Sequence, residues 1–250
     1  MKVIVLAAGQ GTRLKPLTDD RPKCMVEFRG KPIIDYIADA VKDCGINSIV
    51  IVDGYRADVL ENHLAGGGTT FVKNARFEST NMVATLFAAE SELDDDIIIS
   101  YADIVYKREV LRKLVECPAD FSVVVDKNWR ELWSMRMDNP LSDAETMKID
   151  GDGRIYELGK KPSSYSEIEG QYIGLIKMSK EFAKKARLHY HSLDKNKTYD
   201  GKSFDMMYMT SFIQSIIDNV ERPKAVFIEG GWIEVDSVED LKIYENSALP

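Results

Sequence analysis

The first half of the chain alternates short apolar runs with stretches of helical periodicity. Val3 to Leu6 is an unbroken apolar run of strand length. Pro32 suits the first turn of a helix. Ile33, Ile34, Ile37, Ala40, Val41 and Cys44 follow it at helical spacing, and Gly45 ends the segment. Ser48 to Val52 reads as a buried strand, Ala57 to Leu64 as a helix and Phe71-Val72 as a short strand. Asn81 to Leu93 reads as a helix and Ile97 to Tyr101 as a strand. Such alternation predicts an α/β architecture whose mostly parallel central sheet is covered by helices on both faces. After about residue 120 the pattern predicts that strands dominate up to Met178, two of them joined by the turn Asp150-Gly151-Asp152-Gly153. Helices near 179–190 and 203–219 follow, and a last strand and helix close the chain. No repeat or linker interrupts it, so residues 1–250 read as one domain with a smaller β-rich subregion.

Composition narrows the function classes. A net charge of −8 over 250 residues argues against a general nucleic-acid binder. Residues 1–31 break the trend, with seven Lys/Arg against three acids, which points to a local anion site. Cys24, Cys44 and Cys117 are odd in number and widely spaced, as expected of reduced thiols in a cytoplasmic protein. The N-terminal apolar run is too short for a signal peptide, and no run approaches membrane-spanning length. His63, His189 and His191 read as surface residues; the last two are one residue apart and share no helix face.

The basic segment carries the clearest chemistry. Leu6-Ala7-Ala8-Gly9-Gln10-Gly11-Thr12-Arg13-Leu14-Lys15-Pro16-Leu17-Thr18 directly follows the first strand, and Pro22-Lys23 comes soon after. Two glycines let the backbone turn tightly and approach a ligand, while Arg13 and Lys23 add fixed positive charge. That combination suits a triphosphate. It is not a P-loop, because no G-x-x-x-x-G-K-[ST] string occurs. Nor is it a dinucleotide fingerprint, since Leu14 stands where a third glycine is needed and Pro16 prevents an early helix. A bound triphosphate also calls for a cation, and a cation needs carboxylates. Asp103 follows the strand ending at Tyr101-Ala102, at the carboxyl edge where α/β sheets hold ligands. Asp236 ends the run Trp232-Ile233-Glu234-Val235, with Glu234 on the same strand face.

The loop string resembles the L-x-x-G-x-G-[ST]-R-x-x-P-L-T-x-x-x-P-K signature of the sugar-phosphate and phosphocholine nucleotidyltransferases, and meets every fixed position of it. The resemblance implies a Rossmann-like nucleotidyltransferase fold. Residues 1–120 would then mainly bind nucleotide, 121–225 mainly the acceptor, and 226–250 would supply the metal aspartate. It implies that the Leu6, Ala7, Ala8 and Gly9 backbone meets the base, and that Gly11, Thr12 and Arg13 meet the phosphates. Arg13 and Lys23 would act on the transition state, and Asn81, Ala102 and Asp103 would join the nucleotide side. Asp103 and Asp236 match the family's metal-binding aspartates, with Glu234 beside them, so Mg2+ is the expected cofactor. The acceptor phosphate would be its own nucleophile, so no histidine base is needed.

Within that family, Asn74, Asn81, Thr85 and Leu86 resemble the small cytidylyltransferases that act on phosphocholine and phosphonates. So do Asp126-x-x-Trp129, Asp143-Ala144-Glu145 and Phe204-Asp205. Gly159-Lys160-Lys161-Pro162 lacks the glutamate of the Glu-Lys-Pro element usual in sugar-nucleotide enzymes. CTP is therefore the expected donor. Trp129, Trp133, Arg136, Glu145, Lys160, Tyr172 and Asp205 lie where the family binds its acceptor. Their charges favour a zwitterionic amino-acid phosphate such as phosphoglutamine, destined for capsular polysaccharide modification. Alternatives are a hexose-1-phosphate uridylyl- or thymidylyltransferase, a phosphocholine or phosphonate cytidylyltransferase, and a noncatalytic nucleotide sensor. Neither membrane nor nucleic acid is an expected partner.

Overall fold

Alternate residues of the first strand, Lys2–Leu6, face two different cores: Val3 and Val5 join one, Ile4 and Leu6 the other. The strand period of two sends successive side chains to opposite faces. Because both sets are apolar, both faces must be covered, and the computed structural model, which describes residues 1–245, shows this. Seven strands form the central sheet in the order Lys224–Ile228, Phe121–Asp126, Gln171–Met178, Ile97–Tyr101, Lys2–Leu6, Ile49–Asp53 and Thr70–Lys73. Gln171–Met178 runs antiparallel to both neighbours; the other adjacent pairs are parallel. The architecture is thus α/β with a mixed, mostly parallel sheet.

The chain leaves Lys2–Leu6 to build one side of the sheet, then returns to its other side through Ile97–Tyr101. Strand order reverses there, and Leu6 pairs with Tyr101 at the carboxyl edge. Loops leaving two such strands diverge and open a crevice, the usual ligand position of open α/β sheets. The glycine loop and Ala102-Asp103 leave from these two strand ends.

Helix Ile33–Asp43 buries Ile33, Ile34, Ile37, Ala40 and Val41, and Gly45 follows at φ +73°. The helix expected over Asn81–Leu93 is shorter. It spans Met82–Ala88, Asn81 caps it by accepting from the Met82 N–H at 2.8 Å, and a tight turn at Glu90–Glu92 brings Leu93 into the core. The largest departure lies after residue 126. Where strands were expected, Trp129–Arg136 is a helix. Trp129, Leu132, Trp133 and Arg136 recur at i, i+3, i+4 and i+7, and all four side chains are buried on one side. The hairpin Met147–Ile149 with Ile155–Leu158 does form around the Asp150–Gly153 turn. The helix expected over 203–219 begins only at Met209, because the Asp205 carbonyl accepts from the Asn81 N–H at 3.0 Å and braces the earlier stretch. Helix Arg108–Glu116 and edge strand Lys224–Ile228 were not anticipated. Positions 246–250 of the expected closing segment lie outside the described residues. Among the described residues no helix is long and apolar enough to cross a membrane, and the three cysteines are free thiols.

Candidate active site

Gly11 sits at φ +70°, where an added Cβ would lie 2.7 Å from the Lys23 Cβ. Only glycine therefore lets the Lys23 stem pass behind the loop. The turn is fixed by Thr18 Oγ1, which donates to the Gly11 carbonyl at 2.9 Å, and by Leu14 N–H, which donates to the same oxygen at 3.0 Å. The loop opens on a cavity lined by Leu6, Ala7, Gly9, Gly11, Thr12, Arg13 and Lys23. Asn81, Ala102 and Asp103 line its other wall, with Asp236 at its end. Ala8 is buried instead, its carbonyl accepting from Tyr55 N–H at 3.1 Å.

The acidic cluster follows from strand pairing. Ile104–Tyr106 and Trp232–Glu234 form an antiparallel ribbon in which Glu234 faces Ile104, and Val235 N–H donates to the Asp103 carbonyl at 2.9 Å. That register sets Asp103 beside Glu234 and Asp236. Each offers an oxygen within 4.8 Å of the others. Asp103 Oδ2 accepts from Lys23 Nζ at 2.8 Å, while its buried Oδ1 has no hydrogen-bond partner. An unpartnered buried carboxylate oxygen among three hard oxygen donors fits a divalent cation such as Mg2+.

Three cations surround the cluster. Lys23 bridges Asp103 and Asp236; Arg13 Nη2 lies 2.9 Å from Asp236 Oδ2; Arg136 Nη1 donates to Glu234 at 2.8 Å. Burial alone would lower the Lys23 pKa, but the charges of Asp103, Asp236 and Glu234 together raise it, so the ammonium stays charged. Burial, reinforced by Asp236 and Asp103, pushes Glu234 up to about 7. Burial also opposes ionisation of Asp236, yet Lys23, Arg13 and Arg136 outweigh it and hold that carboxyl below its ordinary value.

A second cavity adjoins the first and shares Arg13, Met82, Tyr101 and Asp236 with it. Trp133, Tyr172, Tyr208 and Trp232 supply aromatic wall, and Asp143, Glu145 and Glu234 supply carboxylates. Trp133 Nε1 donates to Asp143 at 3.0 Å, and the Tyr101 and Tyr172 rings meet edge to face at 5.6 Å. Gly174 makes room for that pair: at φ +88°, its added Cβ would stand 2.6 Å from the Tyr101 ring. Burial and the neighbouring Asp143 push the Glu145 carboxyl up to about 7.

Four expected acceptor residues lie elsewhere. Trp129 is buried against Trp133 and Tyr165. The Arg136 side chain is 3% exposed and held by Glu234 and Asp240. Lys160 pairs with Glu157 at 2.9 Å, and Asp205 pairs with Arg76 at 3.1 Å. Neither cavity is lined by any of the four. Trp133, Glu145 and Tyr172 do line the second. Lys161, a further expected cation, instead donates to the Leu141 carbonyl at 2.7 Å. His189 is half-buried and bonded to Ser215 at 2.8 Å, so it is not the solvated residue expected; burial lowers its pKa. His63 pairs with Asp35 and His191 with Glu90, both at 2.7–2.8 Å.

Cavity residues that the sequence did not single out include Cys24, Met82, Tyr101, Gln171, Tyr208 and Thr210. Cys24 carries a thiol pushed up to about 12 by burial, so it is an inert wall here. Tyr101 had a usable signal, since it ends the strand that precedes Asp103.

A family model described as a MobA-like NTP transferase domain matches residues 3–162. The chain is 48% identical over 250 residues to the CTP:phosphoglutamine cytidylyltransferase of Campylobacter jejuni, which covers 97% of this chain and 98% of that protein. It is 35% identical over 107 residues to the choline-phosphate cytidylyltransferase of Streptococcus pneumoniae, covering 43% and 47% of the two chains. Among solved structures, the CTP:phosphocholine cytidylyltransferase from Streptococcus pneumoniae superposes with a TM-score of 0.70 at 22% identity, over 98% of this chain and 97% of that one. The inositol-1-phosphate CTP transferase from T. maritima gives 0.73 at 22% identity, over 100% and 97%. With the family match covering well over half its length, the chain belongs to the MobA-like NTP transferases and is a nucleotidyltransferase.

Proposed function

We propose that this enzyme transfers CMP from CTP to a phosphorylated small acceptor, favouring phosphoglutamine, and releases pyrophosphate in a Mg2+-dependent reaction. The observation that carries the reading is the position of the acidic cluster. It lies where a loop-lined nucleotide cavity meets a separate aromatic, carboxylate-bearing cavity. The 48% relative acts, by its name, on CTP and phosphoglutamine, which supports both donor and acceptor. A capsular destination for the product and a cytoplasmic setting belong to the same proposal, as does the division into nucleotide and acceptor regions.

In this mechanism an acceptor phosphate oxygen attacks the α-phosphorus of CTP. A P–O bond forms as the bond from that phosphorus to the β-phosphate oxygen breaks, and the electron pair leaves with pyrophosphate. Asp103 and Asp236, with Glu234, would hold Mg2+, which supplies charge neutralisation at the triphosphate. Arg13 stands at the mouth of both cavities and can follow charge that grows on the leaving group. Lys23, kept protonated beside two carboxylates, offers a charged donor to the attacked phosphate.

The second cavity suits an ammonium group: Tyr101, Trp133, Tyr172, Tyr208 and Trp232 line it together with Asp143 and Glu145. Its acids therefore replace the lysines as the reason for an amino-acid acceptor. Glu145→Gln should raise KM for phosphoglutamine by roughly ten- to a hundredfold, the worth of one charge-assisted contact. KM for CTP should stay unchanged. Since Glu145 titrates near 7, its carboxylate is present above that pH and lost below it. kcat/KM for phosphoglutamine should thus fall as pH drops from 8 to 6, and Glu145→Gln should flatten that limb. Turnover of phosphoglutamine, phosphocholine and glucose 1-phosphate with CTP tests the acceptor. Phosphoglutamine should be fastest, and faster phosphocholine turnover would reassign the cavity to a quaternary ammonium.

A further inference from the structure

Arg136 closes helix Trp129–Arg136 against the acidic cluster and lines neither cavity. Its side chain is 3% exposed, and the guanidinium uses three nitrogens at once. Nη1 donates to Glu234 Oε2 at 2.8 Å, Nε to Asp240 Oδ1 at 2.9 Å and Nη2 to Asp240 Oδ2 at 3.3 Å. Asp240 Oδ2 in turn accepts from the backbone N–H groups of Asp236 and Ser237, both at 2.9 Å. One side chain therefore fixes the Glu234 rotamer directly and the Asp236 backbone through Asp240. We propose that Arg136 is a positioning residue: with Asp240 it holds Glu234 and Asp236 in the arrangement that binds a divalent cation, and so sets the cation affinity of the site. This rests on the metal role proposed above for those carboxylates.

Two physical readings of Arg136 make opposite predictions. As a simple counter-charge it would oppose a second cation. Substitution by a neutral residue would then tighten metal binding, and a charge-preserving substitution would change nothing. As a positioning group it must supply a planar fork, which an ammonium cannot replace. Loss of a partner that orients a ligand typically weakens metal binding about 10–100-fold. The bidentate grip on Asp240 and the separate bond to Glu234 favour the second reading, because a bare counter-charge needs no such division of donors.

Charge-preserving variants separate the readings. Mn2+ binding to the whole protein without nucleotide, followed by electron paramagnetic resonance, is compared for the parent, Arg136→Lys and Asp240→Glu. Arg136→Lys removes the fork, and Asp240→Glu displaces the clamp on the Asp236 loop; both keep the net charge. Each should bind Mn2+ about tenfold or more weakly. The Mg2+ concentration for half-maximal turnover should rise in step, with KM for CTP unchanged at saturating Mg2+. If Arg136→Lys does not fold, Asp240→Glu decides alone. Mn2+ affinity within twofold of the parent in the folded variants overturns the positioning role and leaves the proposed reaction intact. A parent whose Mn2+ binding does not depend on Asp103 overturns both.

Discussion

Asp103→Asn and Asp236→Asn should each lower turnover by at least about a hundredfold, as loss of a group that stabilises transition-state charge does. The fold should survive both changes. The ribbon that brings the two residues together is held by backbone bonds, Val235 N–H to the Asp103 carbonyl among them, and needs neither carboxylate. Both side chains line the loop cavity, and asparagine keeps their shape. Asp236→Asn leaves Lys23 paired with Asp103, so no cation is stranded. Initial rates at saturating Mg2+ and CTP, with circular dichroism to verify folding, make the check. Near-normal activity in either variant would show that the reaction does not use the carboxylate pair.

Arg13→Lys should cost nearly as much, with the loss falling on kcat. The Arg13 side chain is 70% exposed, and only Nη2 is engaged in the cluster, at 2.9 Å from Asp236. Arg13 lines both cavities, and in the proposed mechanism it meets the charge that grows on the leaving pyrophosphate. Lysine keeps the charge but loses the planar fork. An interaction made only in the transition state lowers kcat and kcat/KM together. A raised KM for CTP with unchanged kcat would instead assign Arg13 to ground-state binding.

The grouping of the loop residues around one cavity was legible in the sequence because one continuous segment builds most of its wall. Gly9, Gly11, Thr12, Arg13 and Lys23 follow the first strand closely in sequence, and their glycines and cations are the pattern from which a phosphate ligand was expected. The strand ends at Asp103 and Asp236 were legible for the same local reason. Their meeting was not, because it depends on the register between Ile104–Tyr106 and Trp232–Glu234, far apart in sequence. The acceptor side was the least legible. Trp129 and Trp133 carry a helical period, but the strands around them led to a strand-dominated reading of that region. Once the segment is helical, Trp129 and Arg136 turn into the protein and only Trp133 reaches the second cavity. Arg136, Lys160 and Lys161 share the positive charge that a carboxylate would attract, yet each is bound to another protein group. Charge is visible in a sequence; whether a charge is already engaged is a property of packing.

CMP transfer itself is tested most directly by following each phosphorus of CTP. The parent protein is incubated with Mg2+, phosphoglutamine and CTP labelled at either the α- or the γ-phosphate. The α-label should appear in an acceptor-linked cytidine diphosphate and the γ-label in pyrophosphate, both strictly dependent on acceptor. UTP in place of CTP should react far more slowly, because groups that pair with the cytosine 4-amino group are left facing an oxygen of uracil. Release of the α-label as free CMP, or pyrophosphate formation that ignores the acceptor, would contradict the account.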